Sequence, residues 1–361
     1  MGSDAQLIIL FGGESSERLV SVASAQHVAS LIPHARCWFW APHGAVYEVP
    51  HEALLAHKKA FECAFEPGGK PTFADCEAAF DTLGRSHVVF LALHGVGGED
   101  GLVQTWLEAR KIPFTGSSAA ASRCAFDKRT AKQAVASQGG RVAAAAIVRG
   151  SKPEEANATL GEFLEKYDGV VVKPVADGSS HGLCIVEDED DVTRALAQLA
   201  SEPHAEYLAE QMITGREITV GVYDAHDGIC ALPASEVVME RGRRFDYQGK
   251  YLGQGSKEIT PAELPETTLK QVQALAILAH QAVGCLGYSR TDMIVDDQGP
   301  VFLEINNLPG MTRASFIPQQ LTAAGIPIPE FLARQLELAQ KRYENAQKRK
   351  AKPATTQAVE D

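Results

Sequence analysis

The sequence lacks the features that mark secreted, membrane or zinc-scaffold proteins. Its seven cysteines are an odd number without a C-x-x-C pair, so neither a disulfide framework nor a zinc site is expected, and reduced thiols in a cytoplasm fit best. Unbroken apolar runs such as 142–148 are far shorter than the roughly 18 residues of a membrane helix. The first residues show no signal-peptide pattern. We therefore expect a cytoplasmic protein without a membrane partner.

An excess of basic residues is also missing. The chain has 34 Lys and Arg against 46 Asp and Glu, a net charge of −12, which opposes attraction to nucleic acid or anionic lipid. What is present is ordinary globular composition, with 45% hydrophobic and 22% charged residues. A length of 361 residues indicates two or three domains.

The first part of the chain alternates strand-like and helix-like segments. Strands are predicted at 7–11, 36–40, 87–93 and 112–115, with helices at 15–31 and 101–111. This alternation predicts an α/β domain over 1–118, with helices on the faces of a parallel sheet. Residues 50–85 are too weakly patterned to assign.

Two further units follow. A helix over 118–137 opens a unit at 119–216, which contains strands near 142–148, 169–173 and 186 and a helix at 190–199. A unit at 217–341 contains a helix at 264–283 and a hairpin centred on Gln298. The composition of 342–361 predicts the end of a helix followed by a flexible tail.

The hairpin is the most informative segment. If it is symmetric about Gln298, Asp292 faces Glu304 and Arg290 faces Asn306 on one face, because side chains alternate along a strand. The other face then carries the core residues Met293, Val295, Val301, Leu303 and Ile305. Facing carboxylates repel unless a cation lies between them, so this oxygen-rich set is typical of a magnesium site. A solvated polar face remains the alternative.

Three glycine-rich loops follow predicted strands. Residues 177–182 (Asp-Gly-Ser-Ser-His-Gly) come after Lys173-Pro174 and could hold phosphate through backbone N–H groups, although most such turns are ordinary loops. Residues 12–18 and 94–101 lie at the carboxyl ends of strands, where open parallel sheets bind ligands. Helix capping accounts for most of the polar residues and glycines of both loops, but it does not account for His94.

Two loops complete the candidate site. Residues 245–251 combine three aromatic side chains with a lysine and predict a lid over a charged intermediate, unless they form a plain surface hairpin. Residues 307–312 form a turn beside the proposed magnesium site, and Ser315 opens the next helix.

Taken in order, these segments resemble the D-alanine–D-alanine ligases of the ATP-grasp superfamily over about residues 7–338. The matching motifs are Gly-Gly-x-Ser-x-Glu-x-x-Val-Ser at 12–21, His-Gly-x-Gly-Gly-Glu-Asp-Gly at 94–101, Asp-Lys at 127–128, Val-Lys-Pro at 172–174, Gly-Ser-Ser-x-Gly at 178–182, Lys-Tyr at 250–251, Arg-Thr-Asp at 290–292 and Glu-x-Asn-x-x-Pro-Gly-Met-Thr at 304–312. The resemblance implies an N-terminal α/β domain followed by a two-lobed ATP-grasp fold.

The resemblance also implies the reaction and its site. Two D-alanines are ligated through a D-alanyl phosphate for peptidoglycan precursor synthesis, with ATP as co-substrate and two Mg²⁺ ions, for which Mn²⁺ can substitute. Lys128, Lys173 and Ser180 would contact phosphates; Glu210, Gln211, Ile213 and Glu217 the nucleoside; and Asp292, Glu304 and Asn306 the metal.

The amino-acid subsites follow from the same resemblance. The implied catalytic residues are Glu17, Ser179, Tyr251 and Arg290, with Arg290 stabilising the oxyanion. The implied substrate-binding residues are Val20, His94, Lys250, Gly310 and Ser315. Asp177, Gln211 and Asn307 depart from the usual family residues Glu, Lys and Thr, and none of the three removes a catalytic group.

Alternatives stay open at this level. A ligase of the same mechanism could use D-serine, D-lactate or another amino acid as acceptor, since one methyl or hydroxyl group changes discrimination by only about 1–3 kcal/mol. A phosphotransferase or a nucleotide-binding regulator would share the ATP site. The family further implies a homodimer.

Overall fold

The computed structural model describes residues 6–176, 182–201, 206–239 and 256–351. In these residues three β-sheets are flanked by helices. No helix within the described ranges is long and apolar enough to cross a membrane.

The first sheet has the strand order β3-β2-β1-β4. Its strands are β1 (Gln6–Gly12), β2 (Arg36–Trp40), β3 (Val46–Val49) and β4 (His87–Leu91). β1 runs parallel to both neighbours, as predicted, whereas β3, a strand missed in the sequence, is an antiparallel edge. β1 is buried almost throughout because helices cover both faces. These helices are α1 (Arg18–Leu31), α2 (His51–Ala56), α3 (Cys76–Asp81) and α4 (Leu102–Arg110).

The predicted strand at 112–115 is reduced to a single bridge between Val89 and Phe114. The ends of β1 and β4 lie side by side where the chain order of the sheet changes direction, a position at which open sheets form a ligand crevice. Gly12 ends β1 at a φ of 96°, and a Cβ there would lie 2.3 Å from the Trp40 carbonyl. Only glycine therefore fits this strand end.

The second sheet is antiparallel, in the order β5-β8-β6-β7. Its strands are β5 (Ala145–Val148), β6 (Val170–Pro174), β7 (Cys184–Val186) and β8 (Tyr207–Gln211). The preceding and covering helices are α5 (Ala119–Phe126), α6 (Lys128–Ser137), α7 (Pro153–Lys166) and α8 (Glu189–Ser201).

The single helix predicted over 118–137 is wrong: it is two helices with a break at Asp127. The Asp127 carboxylate accepts a hydrogen bond from the Thr130 N–H at 2.8 Å and so caps α6. This break directs Lys128, the first residue of α6, toward the third sheet.

The third sheet has the order β12-β11-β9-β13-β14, with β10 on β9. Its strands are β9 (Arg216–Asp224), β10 (Ile229–Ala231), β11 (Ser235–Met239), β12 (Ser256–Ile259), β13 (Tyr288–Asp296) and β14 (Gly299–Asn306). Helices α9 (Glu266–Val283), α10 (Phe316–Ala323) and α11 (Ile328–Ala351) follow. Apolar residues of α9 pack on β9, β13 and β14 and form the core of this unit.

The last helix returns to the first sheet. Arg342 of α11 lies 4.2 Å from the centre of the Phe114 ring and donates to the carbonyls of Phe114 and Gly116. The segment 342–361, predicted as the end of a helix followed by a tail, begins inside α11, which continues to Ala351.

Candidate active site

The β13–β14 hairpin has the predicted pairing at its functional end: Arg290 lies opposite Asn306 and Asp292 opposite Glu304. Near the turn the pairing differs. Asp296 pairs with Gly299, so the turn has two residues rather than three, and a bulge between Phe302 and Glu304 restores the register. In consequence the core residue is Phe302, fully buried, and not Leu303, which is half-buried.

Arg290 and Asp292 form a two-point ion pair. The guanidinium donates to both carboxylate oxygens of Asp292, at 2.8 and 2.7 Å. Thr219, on the adjacent strand β9, donates its hydroxyl to the same carboxylate at 2.5 Å. Arg290 also lies 5.7 Å from the Phe316 ring. These contacts fix the positively charged guanidinium of Arg290 in the cleft.

A chain of polar contacts leads from Arg290 to the end of β4. With its amide oriented to satisfy both neighbours, Asn306 accepts from Arg290 at 3.0 Å and donates to Glu99 at 3.1 Å. Glu99 lies 3.5 Å from His94 Nδ1, and Nε2 of His94 bonds Ser24 at 3.0 Å. Burial raises the pKa of Glu99, and His94 opposes that rise.

A second charged group lies behind Glu304. Lys128 Nζ is 3.6 Å from the Glu304 carboxylate. Deeper in the protein, Glu210 is held by Lys173 at 2.7 Å and Lys132 at 2.9 Å, and Lys132 also donates to the Phe302 carbonyl at 3.3 Å. We refer to Lys132, Lys173 and Glu210 as the lysine cluster.

Mutual attraction within the lysine cluster favours the charged forms of Lys173 and Glu210. Burial alone would lower the pKa of Lys173, but Glu210 and Glu304 raise it above the usual lysine value. Burial opposes ionisation of Glu210 as well, yet Lys173 and Lys132 lower its pKa. For Lys132 burial prevails and the pKa falls. The carboxylate of Glu210, which is predicted to contact the nucleoside, lies between the two ammonium groups.

The loop after β1 meets the loop after β4 at close range. Glu17 is 8% exposed at the start of α1 and lines the cleft. Gly95 has a φ of 67°, and a Cβ on it would lie 2.3 Å from Ser15 Oγ and 2.8 Å from a carboxylate oxygen of Glu17. The Glu17 carboxylate therefore packs directly against the backbone of Gly95, where a side chain would not fit.

The turn after β14 forms the opposite wall. Ser315 Oγ accepts from the Thr312 N–H at 3.1 Å and bonds its hydroxyl at 2.8 Å. Glu258, on β12, accepts from Gln319 at 2.7 Å, and burial raises its pKa. These side chains close the cleft on the side of the third sheet.

The structure brings eight of the predicted residues together along one cleft: Glu17, His94, Lys128, Arg290, Glu304, Asn306, Gly310 and Ser315. Asp292 is bound to Arg290, and Lys173 and Glu210 lie in the buried lysine cluster. Four other predicted residues are outside the cleft lining: Val20, buried in α1, and Gln211, Ile213 and Glu217, half-buried around the β8–β9 connection. Ser179, Ser180, Lys250 and Tyr251, and with them most of the predicted lid, lie outside the described residues.

Sequence reasoning missed Glu99, Lys132, Glu258 and Thr219. Glu99 lay in the quoted glycine-rich loop, but its position after three glycines suggested only a helix start. Lys132 follows Lys128 by four residues, a spacing that places both on one face of α6. That spacing was the available signal for a second cation.

The oxygen donors of the hairpin fit a magnesium-type ion. Asp292 and Glu304 are direct cross-strand neighbours, and Asn306 adds an amide oxygen at the same edge. In the described ranges no three His, Cys, Asp or Glu side chains form a metal cluster. Two carboxylates and an amide oxygen form a donor set that Mg²⁺ commonly supplements with water and substrate phosphates.

Comparison with known proteins agrees with this geometry. Residues 6–117 match the family model described as D-ala D-ala ligase N-terminus, and residues 143–337 match D-ala D-ala ligase C-terminus. The chain is 41% identical over 263 residues to a D-alanine–D-alanine ligase of Leptospira interrogans, covering 71% of this chain and 74% of that protein. It is 34% identical to the ligase of Sinorhizobium medicae, covering 91% of this chain and 96% of that protein.

Solved structures show the same architecture. The D-alanine–D-alanine ligase of Coxiella burnetii aligns with a TM-score of 0.77 and 26% identity, covering 96% of this chain and 97% of that one. The VanG D-Ala:D-Ser ligase of Enterococcus faecalis aligns with a TM-score of 0.76 and 26% identity, covering 93% and 100%. The predicted α/β fold with an ATP-grasp part is confirmed, and the chain belongs to the D-alanine–D-alanine ligase family of the ATP-grasp superfamily.

Proposed function

We propose that this protein uses ATP to join two D-alanines into D-alanyl-D-alanine, a building block for peptidoglycan. The observation that carries the proposal is the convergence of Glu17, Arg290 and Ser315 on one cleft with the oxygen donors of the hairpin. A carboxylate, a fixed guanidinium and a hydroxyl meet there in a chain of this family. These are the groups that two amino acids and a phosphorylated intermediate require.

Lys128 and Lys173 bind the phosphates of ATP. Lys128 stands at the cleft with its ammonium group beside Glu304, and Lys173 is kept charged by Glu210. Phosphoryl transfer is accelerated by positioning and charge neutralisation. Gln211, Ile213 and Glu217 lie beyond the lysine cluster and contact the nucleoside; Ser180 belongs to the phosphate loop.

Asp292, Glu304 and Asn306 hold the divalent cations that accompany ATP, two Mg²⁺ or Mn²⁺ ions. When bound, these ions neutralise charge on the phosphates during transfer. In this structure Arg290 and Lys128 neutralise Asp292 and Glu304.

The reaction has two steps. A carboxylate oxygen of the first D-alanine attacks the γ-phosphorus, the bond to the β-phosphate oxygen breaks, and D-alanyl phosphate and ADP form. The amine of the second D-alanine then attacks the acyl carbon and expels phosphate, losing a proton. Arg290 donates to the oxyanion of the tetrahedral intermediate.

Glu17 pairs with the ammonium of the first D-alanine, and Val20 and His94 shape that subsite. His94 is held by Ser24 and Glu99, so its ring is fixed before substrate arrives. Ser315, with the backbone at Gly310 and with Lys250, receives the carboxylate of the second D-alanine. Ser179 and Tyr251 close the lid over both.

We propose three domains, 1–118, 119–216 and 217–341, and the presence of three sheets supports this division. We also propose that the enzyme acts as a cytoplasmic homodimer. Light scattering of the purified protein measures the oligomeric state. A monomer at all concentrations would contradict this part of the proposal.

The decisive experiment follows ADP release with Mg-ATP and a panel of amino acids, with products identified by mass. D-alanine alone should give D-alanyl-D-alanine. If ADP appears only when D-serine or D-lactate is added, the acceptor assignment is wrong while the mechanism stands. Glu17→Gln should abolish turnover and keep ATP affinity, and Glu14→Gln, at an exposed glutamate of the same loop, is the matched control.

A further inference from the structure

A second cavity lies away from the candidate active site. It has a volume of about 270 Å³ and lies between the first sheet, the β9 and β13 strand ends and helix α11. Its lining includes Phe114, Asp224, Leu286, Gln335 and Arg342, none of which lines the active-site cleft. A water molecule occupies roughly 30 Å³ of liquid volume, so the space suits a small organic molecule.

Gln335 is the first polar group of the cavity without a partner. The side chain is 1% exposed, and neither its amide oxygen nor its amide nitrogen has a hydrogen-bond partner among the described residues. Leaving a buried polar group unsatisfied costs about 1–3 kcal/mol. Both a donor and an acceptor are thus offered to whatever fills the cavity.

Arg342 is the second polar group of the cavity, and it has no partner carboxylate at ion-pair distance among the described residues. Its guanidinium donates only to the carbonyls of Phe114 and Gly116, and no carboxylate in the described ranges forms an ion pair with it. Burial lowers the pKa of Arg342 from a value so high that the group keeps its charge. Glu108 attracts this charge and raises its pKa, but it forms no ion pair with Arg342, so the buried guanidinium still favours an anion in the cavity.

Asp224 supplies the opposite charge. One oxygen accepts from the Gly287 N–H at 2.7 Å, and the other lies 3.6 Å from His280. His280 and the Gly287 hydrogen bond lower the pKa of Asp224 despite its burial, so it is a carboxylate at neutral pH. Lys341 at the rim is already paired with Glu337, so it adds no further free positive charge.

We propose that this cavity is a second binding site for a small zwitterion, an amino acid or a dipeptide. Its carboxylate pairs with Arg342, its ammonium with Asp224, and its polar middle with the Gln335 amide. Leu286 and Leu338 leave room for a short apolar side chain. A dianion such as phosphate is disfavoured because Asp224 lines the same space.

The test is equilibrium dialysis of the full chain with labelled glycine, L-alanine, D-alanine and D-alanyl-D-alanine, without ATP. Gln335→Leu keeps the side-chain volume and removes the unsatisfied amide, so it should fold, and it should weaken binding at this site about 10-fold. Leu286→Trp, at a side chain 39% exposed, should block the cavity. Leu55→Trp, 46% exposed on α2, is the control and should bind as the parent does.

The proposal predicts at least one panel member whose binding falls in both cavity variants and persists in Glu17→Gln. It is overturned if all binding is lost in Glu17→Gln and unchanged in the cavity variants, or if no member binds. A crystal structure at saturating ligand that shows only water beside Gln335 would overturn it as well. Ligase activity can fail without affecting this result, so the two proposals are tested separately.

Discussion

Replacing Glu210 with glutamine should destabilise the second sheet strongly. The lysine cluster carries two positive charges and one negative charge, with side chains 5%, 11% and 3% exposed for Lys132, Lys173 and Glu210. The substitution leaves two buried ammonium groups without their shared counter-ion. Removing one partner of a buried ion pair costs about 3–5 kcal/mol.

The geometry supports this magnitude. Each ammonium lies within 2.9 Å of a Glu210 oxygen. Allowing about 2.5 Å for the width of the carboxylate, the two ammonium groups are no more than roughly 8 Å apart. At an effective dielectric of about 20 their repulsion is then at least about 2 kcal/mol, to which the lost attraction is added.

Lys132→Met is the matched control. It leaves the Lys173–Glu210 pair electrically balanced and removes a desolvated charge, so it should cost only about 1 kcal/mol. Glu210 and Lys132 are partners in the same ion pair, yet the loss of stability should be at least three times larger for Glu210→Gln than for Lys132→Met. Equal costs, or a cost of Glu210→Gln under about 1 kcal/mol, would refute the reasoning.

The assay must be local. All three tryptophans, Trp38, Trp40 and Trp106, belong to the first sheet and its helices, so intrinsic tryptophan fluorescence would report the wrong unit. Hydrogen exchange of the β6 and β8 amides measures opening of the sheet that contains the cluster. Loss of protection should be confined to peptides from these strands and α6.

The stability that Glu210→Gln loses should depend on pH, and the loss should become smaller as the pH rises. Without Glu210 the pKa of Lys132 falls further below the usual lysine value of 10.5, and Lys173 loses the main attraction that raises its pKa against burial, so its pKa falls as well. The unfolded chain then binds more protons than the folded one between those lowered values and 10.5, so stability rises with pH in that window. The protection lost at pH 7 should therefore recover partly by pH 9.

Three other substitutions test the site. Gly95→Ala should lower activity and reduce the free energy of unfolding by about 1–3 kcal/mol, because Gly95 has a positive φ and its new Cβ would meet the Glu17 carboxylate. Gly44→Ala is the control, since Gly44 also has a positive φ but a Cβ there would have no atom within 4 Å. Thermal unfolding and kcat are measured for both variants. Arg290→Lys should lower kcat roughly 10²- to 10³-fold with little change in the KM for ATP, and an equal rise in KM would contradict its role at the oxyanion. Asn307→Ala removes a buried 2.7 Å hydrogen bond to Ser122 and should lower stability by about 1–3 kcal/mol in thermal unfolding, a loss that Ser122→Ala should largely share.

The sequence predicted those parts of the molecule that depend on short-range pattern. Strand alternation fixed which hairpin residues face each other, and β1 and β2 were found close to their observed bounds because their apolar runs are continuous. The hairpin prediction was right at Arg290 and Asp292 and wrong at Leu303, because a bulge leaves no signal in a pattern of apolar residues.

Contacts between distant segments could not be predicted in the same way. Glu210 had the residue type of a ligand contact, but its pairing with Lys132 depends on how α6 packs beside β8. The break at Asp127 had a signal, an aspartate three residues before Thr130, but the apolar pattern continued across it. The family resemblance predicted the roles of the site residues, but which residues contact each other depends on three-dimensional packing.

The bulge in β14 has an evolutionary consequence. Between the turn and Glu304, β14 has one residue more than the paired segment of β13. Loss of one residue anywhere from Pro300 to Leu303 would convert the hairpin into an unbulged one, with Glu304 still opposite Asp292 and Asn306 still opposite Arg290. A single-codon deletion there would leave the donor set in place, whereas the same deletion at Ile305 would shift Asn306 onto the core face. The hairpin of this chain thus tolerates the loss of one residue before Glu304 but not after it.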